Sequence, residues 1–364
     1  MYSFDFLVFY VIFKKKLLMI SRKQFIDSLD KKIPNFRINQ INDLLFDKTK
    51  DSFEQASNLP KDLVQGLNEN CGFYSIKNVK IFKSKLDGTF KGLFKDLEGN
   101  LFESVLMENS KGNFSICVSS QIGCAMGCTF CATGTMGFIR NLLAEEIVDQ
   151  YRFWNRFIFE NNLEDKRISN VVFMGMGEPL ANYANVKECI NTWLKYTDLG
   201  PTKITVSTVG IIPNLKRLLK DDSWPECKIA ISLHSYDPVK RKEIVPTSSP
   251  NFHQDIIDWS FAYKDKFPSK SHYITFEYTL IDGINDSKQN AKFLAEFVLK
   301  TAFSKINVIP LNEVSGKSFQ KVKKNNLQTF KEEVLKRGVD ITQRKTRGDD
   351  INAACGQLVV NETL

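Results

Sequence analysis

The stretch CVSSQIGCAMGCTFC, residues 117–131, holds four of the chain's eight cysteines. Cys124, Cys128 and Cys131 follow a C-x3-C-x2-C rhythm, and Cys117 stands seven residues ahead. Thiolates at that spacing on one compact loop can bind a soft metal. Four cysteines would complete a tetrahedral site. Three would leave a coordination position open, the mark of a catalytic rather than a structural centre. An iron–sulfur cluster ordinarily takes four cysteines. Zinc ordinarily takes a second C-x2-C or Cys/His pair, and none follows downstream. Clustered cysteines in a chain of 364 residues point to a metal in a reducing compartment, not to a disulfide scaffold. Cys71, Cys189 and Cys227 are isolated and read as core or surface residues.

Around this loop the chain alternates. Short β-rich runs (FSICVS, SNVVFMG, KITVST, CKIAISL, YITFEYTL and KINVIPL) are separated by amphipathic stretches such as LLAEEIVDQYRFWNRFIF and NVKECINTWLKY. Strand, helix, strand repeated this often predicts a parallel sheet with helical crossovers, either open or a partial barrel. Crossover handedness then puts all the strand C-termini on one side. Unusual residues follow nearly every strand. The cysteine loop follows the first, MGMGEP the second, Ser207 and Thr208 close the third, SLH ends the fourth, and Asn312 follows the sixth. Such residues would converge on one rim, where these folds place active sites.

The flanks differ. Residues 19–70 read as a small helical domain, with apolar residues at helical spacing and Pro60 near a helix start. Residues 71–113 carry hairpin-like alternation and form a β-rich connector to the 114–345 core. Residues 346–364 are a tail rich in Gly, Asp and Ala. Residues 1–18 open with an aromatic, apolar run of about a dozen residues, shorter than the roughly 20 needed to span a bilayer. They lack a secretory cleavage pattern and read as a non-core extension. No membrane segment is expected. The net charge of +8 permits a polyanionic partner without requiring one.

CAMGCTFC, with Phe130 before its last cysteine, resembles the cluster loop of radical S-adenosylmethionine (SAM) enzymes, and MGMGEP resembles their glycine-rich segment. CVSSQIGCAMGCTFCATGTMGFIRNL, FMGMGEPLANY, SLHSYDPVKRKEIVP and RGDDINAACGQL together resemble the RlmN/Cfr family of RNA adenine methyltransferases, over about residues 20–358. The resemblance implies a radical SAM partial (β/α)6 barrel with a small N-terminal helical accessory domain that binds RNA. It implies a 4Fe–4S cluster on Cys124, Cys128 and Cys131, with SAM on the free iron. SAM contacts would come from Gly177, Glu178, Ser207, Ser232, Leu233, His234 and Asn312.

The same resemblance gives separate roles to Cys117 and Cys355. One SAM would methylate Cys355, and a second would be cleaved reductively to abstract hydrogen from that methyl group. The resulting carbon radical would add to adenine, with Glu103 as the proton acceptor. Cys117 would then attack the Cys355 sulfur and leave a disulfide. Adenine's amidine carbon is electrophilic, so a direct nucleophilic attack on SAM is not open to it, and the nucleophilic step passes to a thiolate. The implied substrate is an adenosine of large-subunit rRNA, with tRNA a further target, methylated at C2. The C8 outcome of Cfr-type members is the alternative. A zinc-ribbon RNA-binding module without catalysis is the rival of another class. The expected partners are RNA and an electron donor such as flavodoxin or ferredoxin, with no membrane, in a monomer that is cytoplasmic or, if residues 1–18 are a targeting segment, organellar. The N-terminal helices and the lysine-rich stretch 316–337 are candidate RNA contacts.

Overall fold

The computed structural model describes residues 19–29, 33–163 and 165–359. The 1–18 extension and residues 360–364 of the tail lie outside these. Four short helical segments come first: α1 (Arg22–Asp27), α2 (Asn35–Phe46), a 3-10 turn at Phe53–Gln55, and α3 (Lys61–Asn70). Ser21 caps α1 in a reciprocal box with Gln24, and Pro60 precedes α3, where a missing N–H costs nothing. Phe25, Ile41, Leu44, Leu45, Phe53 and Leu67 form a small core of their own.

Three antiparallel strands follow: β1 (Lys77–Lys83), β2 (Thr89–Lys95) and β3 (Leu101–Glu108). Next come β4 (Phe114–Cys117), a small hairpin of β5 (Gln121–Gly123) and β6 (Phe138–Asn141) enclosing α4 (Ala132–Thr135), and then α5 (Ala144–Glu160). The remainder is β7 (Ile168–Phe173), α6 (Tyr183–Tyr196), β8 (Ile204–Thr208), α7 (Ile212–Lys220), β9 (Lys228–Ser232), α8 (Pro238–Ile244), α9 (Phe252–Lys266), β10 (Ile274–Leu280), α10 (Lys288–Val298), β11 (Ser304–Pro310), α11 (Lys324–Leu335) and β12 (Ile341–Gln343).

Ten strands form one sheet in the order β1-β2-β3-β4-β7-β8-β9-β10-β11-β12. From β4 to β12 all neighbours are parallel. The six expected core strands are present, and β12 adds a seventh to the parallel set. Parallel strands are covered by helices, so they read as near-continuous apolar runs, as in KIAIS and ITFEYTL. Trp154, Val171, Trp193, Ile229, Phe276 and Val308 are among the fully buried residues of the shared core. The antiparallel strands extend the same sheet, because β3 pairs with β4.

Asp149 of α5 joins the N-terminal helices to the core. It pairs with Arg22 at 3.0 Å and with Arg152, and accepts the Ser75 hydroxyl at 2.7 Å. Burial pushes its carboxyl up, yet the two guanidinium groups and Ser75 hold it below the usual range. The tail leaving β12 returns to the opposite end of the sheet. Gly348 N–H donates to Asp87, and Ser84 donates to Asp350 at 2.7 Å, both in the β1–β2 turn. The tail thus spans the mouth of an incompletely closed barrel.

Candidate active site

The strand C-termini meet at one rim, as their alternation with helices requires. A cavity of about 150 Å³ is lined there by Cys124, Cys128, Cys131, Gly177, Glu178, Ser207, Ser232, His234, Asn312 and Cys355 among others. A smaller cavity beside it is lined by Cys117, Asn312, Arg344 and again Cys355. Cys355 therefore faces both. Two anticipated residues lie off these cavities. Leu233 is in the core, its carbonyl accepting from Arg241 at 3.0 Å. Glu103 is buried in β3 beneath the tail.

The cysteine loop is fixed by its own backbone. Cys124 N–H donates to Gly137 O of the β5–β6 hairpin at 2.8 Å, and Thr129 N–H to Ile244 O at 3.0 Å. Lys317 donates to Thr129 O at 2.6 Å. This lysine belongs to the stretch anticipated as an RNA contact, and here it braces the loop. Phe130 packs edge-on against His234, ring centroids 4.8 Å apart.

The donor set suits an iron–sulfur cluster. All the cysteines are free, and three soft thiols share one cavity. Burial pushes Cys124 up to about 11, and burial with its two neighbouring thiols pushes Cys128 higher still. Thiols so placed stay protonated until a metal centre takes the charge. Among the described residues no three Cys, His, Asp or Glu side chains converge enough for a single metal ion. A cluster asks for less, because each thiolate binds a separate iron. Cys117 keeps different company: burial raises its thiol to about 12, with a further push from Cys355 and a counter-pull from Arg344.

The glycine-rich segment follows β7. Gly177 has φ +99°, and a Cβ there would lie 2.5 Å from Gln121, so only glycine fits. Glu178 is fully engaged: Oε1 accepts Leu180 N–H at 3.0 Å, Oε2 accepts Val209 N–H at 2.8 Å, and its own N–H donates to Gln121. Burial raises its carboxyl to about 7. The side chain thus ties the β7 loop to the β8 loop. His234 has φ +57°, and its Nδ1 accepts Thr279 N–H at 3.0 Å. Burial lowers it to about 3, so the ring is neutral.

Several residues of the rim escaped the sequence reading. Arg241 is buried under it, donating to the carbonyls of Leu233, Val209 and Ser232. In the sequence it sits inside the run KRK, which looks like a solvated helix face. Glu277 lines the larger cavity from within β10 and accepts from Asn307 at 3.0 Å. A carboxylate inside the strand ITFEYTL was its available signal. Arg344, just after β12, lines the smaller cavity with Cys117 and Cys355, and both thiols raise its pKa.

A model of the radical SAM superfamily matches residues 118–294. A probable dual-specificity RNA methyltransferase RlmN of Clostridium botulinum (strain Alaska E43 / Type E3) is 41% identical over 326 residues, covering 89% of this chain and 90% of the relative. Its counterpart in Clostridium novyi (strain NT) is 38% identical over 348 residues, 94% of this chain and 97% of the relative. This chain belongs to the RlmN family. Among solved structures, a radical SAM methyltransferase from Sphaerobacter thermophilus superposes with a TM-score of 0.79 at 34% identity, over 90% of this chain and 93% of that one. As an RlmN-family member the chain is a radical SAM methyltransferase, and the family's cofactors are a 4Fe–4S cluster and SAM. Among the described residues, no helix is long and apolar enough to cross a membrane.

Proposed function

We propose that this enzyme methylates C2 of an adenine in large-subunit rRNA and in tRNA, with Cys355 as methyl acceptor and Cys117 as the resolving thiol. The observation that carries this is the double exposure of Cys355, which lines both the cavity of the cysteine triplet and the cavity of Cys117. Cys124, Cys128 and Cys131 would hold the cluster. When bound, the cluster and SAM supply the methyl group and the hydrogen-abstracting chemistry.

The chain's own residues do the rest. Gly177, Ser207, Ser232 and Asn312 orient SAM on the rim, and Phe130 with neutral His234 closes one side against water. Asn312 Nδ2 holds the Cys355 carbonyl at 3.0 Å, which fixes the acceptor sulfur toward the cavity. After the methyl carbon has joined adenine, Glu103 accepts the ring proton, and the one unpaired electron of the ring adduct would pass to a one-electron acceptor, which the oxidised cluster would supply when bound. The Cys117 thiolate then attacks the Cys355 sulfur. The sulfur–carbon bond breaks, its electron pair stays on the carbon joined to adenine, and a Cys117–Cys355 disulfide forms. Protonation of that carbon completes the methyl group, and an external dithiol reduces the disulfide before the next cycle. Arg344 beside both thiols favours the thiolate that attack needs.

An adenine must leave its stack to reach this rim, so an unpaired loop is the fitting substrate. Exposed Lys77, Lys80 and Lys83 on the edge strand β1 suit an RNA backbone, beside the N-terminal helices. We place the enzyme in the cytoplasm as a monomer, fed by a flavodoxin- or ferredoxin-type donor. Nucleoside mass spectrometry of rRNA and tRNA from cells with and without the protein tests this. 2-Methyladenosine that depends on the protein is expected; 8-methyladenosine, or neither, contradicts it.

A further inference from the structure

Lys91 of β2 and Glu103 of β3 form a buried ion pair, Nζ to Oε1 2.8 Å. Both partners also hold the tail. Lys91 Nζ lies 3.4 Å from the carbonyl of Asn352, three residues before Cys355. The other carboxylate oxygen of Glu103 accepts the N–H of Val359 at 3.0 Å, four residues after it. One ion pair therefore clamps both ends of the loop that carries Cys355. Among the described residues Lys91 is the one charged side chain in contact with Glu103. The other contacts of Glu103 are through its backbone, to Met176 Sδ and the Ser119 hydroxyl. A buried pair adds little net stability, since desolvation offsets the attraction. What this one supplies is position.

We propose that the Lys91–Glu103 pair is a latch that seats the Cys355 loop, and that arrival of the adenine ring proton on Glu103 opens it. This rests on Glu103 as the proton acceptor. The carboxylate lines neither cavity, and Lys91 and Val359 take one oxygen each. The adenine edge must displace the Val359 N–H to reach it, which frees one end of the loop. In the proton transfer the ring C–H bond breaks, its electron pair stays on the ring, and the proton ends on the carboxylate. The neutral carboxyl no longer attracts Lys91 and accepts more weakly, which loosens Lys91 and with it the Asn352 contact. Release thus falls at the step where the Cys355 sulfur must turn to Cys117. Other anchors remain: Ser84 and the Lys85 N–H on Asp350, Gly348 N–H on Asp87, Ala132 N–H on Gly356 O at 2.7 Å, the Thr133 hydroxyl on Leu358 O at 2.6 Å, Gln357 on Glu313 O at 3.1 Å, and Asn312 on Cys355 O. They keep the loop near the rim once the latch is open.

Hydrogen exchange of the full-length, cluster-loaded enzyme, read by mass spectrometry, tests the latch. Glu103→Gln stands in for the protonated carboxyl. A hydrogen bond to a charged group is strong enough that its loss shifts local opening about tenfold. Glu103→Gln and Lys91→Met should each speed exchange across residues 348–359 by about that factor, with β2 and β3 as protected as in the wild type. Lys91→Arg should restore tail protection. Wild-type tail exchange in both the Glu103→Gln and the Lys91→Met proteins overturns the latch. If a single substitution also loosens β2 and β3, the Lys91→Met/Glu103→Gln double variant removes both charges together. Selective loosening of the tail in that variant supports the latch, and loosening of tail and strands alike overturns it. The proton-acceptor role is judged separately: normal methylation by Glu103→Gln overturns that role while the exchange result still stands.

Discussion

The cysteine triplet and the Cys355 loop face the same cavity but are built in opposite ways. The triplet occupies eight consecutive residues directly after β5, so its spacing is set by the sequence itself, with Gly137, Ile244 and Lys317 bracing the loop. The Cys355 loop has almost no structure of its own. It is placed by Ser84, Asp87, Lys91, Glu103, Ala132, Thr133 and Asn312, which come from the β1–β2 turn, β2, β3, α4 and the β11 exit. A local loop can hold a rigid inorganic group. A segment held by single hydrogen bonds from many elements can leave and return. On the proposed function, the fixed part of the chemistry would sit on the first and the moving part on the second.

The largest effects should come from breaking the two regions separately. Cys128→Ala should lose the iron and the visible absorbance of the loaded protein, and with them all SAM cleavage. Cys355→Ala should keep the iron and still cleave SAM, measured as 5′-deoxyadenosine, while RNA methylation falls to zero. If both variants lose iron, Cys355 belongs with the triplet and the contrast fails. Next comes Gly177→Ala. Its φ of +99° and the crowding by Gln121 should cost on the order of 1–3 kcal/mol, seen as a lowered melting temperature and weaker SAM binding. Arg344→Met should push the Cys117 thiol further up. Each unit of such a rise cuts the thiolate fraction near neutral pH about tenfold, so alkylation of Cys117 should slow, and Arg344→Lys should recover most of the rate. The smallest effect belongs to the surface. Lys80→Ala should reduce the salt slope of RNA binding by about one and leave SAM cleavage alone.

How far the sequence could be read follows the same division. The alternation of apolar runs with amphipathic stretches announces the parallel sheet, and each strand end then places its own unusual residue on the rim. Ser207, Ser232, His234 and Asn312 line the cavity for that reason. Leu233 does not, because its neighbours in a strand point the opposite way. Arg241 was hidden because a buried guanidinium under carbonyl oxygens has the same letters as a solvated one. The partners of Glu103 were hidden too. Lys91 lies across a strand pair, and Val359 is 256 residues away, a separation at which spacing carries no signal. The tail's return across the barrel mouth to the β1–β2 turn depends on hydrogen bonds that no local pattern encodes.

The proposed chemistry turns on Cys355 passing a carbon to RNA and being released by Cys117, and one measurement addresses that passage. Cys117→Ala protein that has turned over with its RNA can be digested with nuclease and protease and the peptides weighed. The expected product is a peptide containing Cys355 that carries a covalently attached adenine nucleotide through one added carbon. A Cys355 peptide that is bare or merely methylated, with methylated RNA accumulating at the wild-type rate, would contradict it.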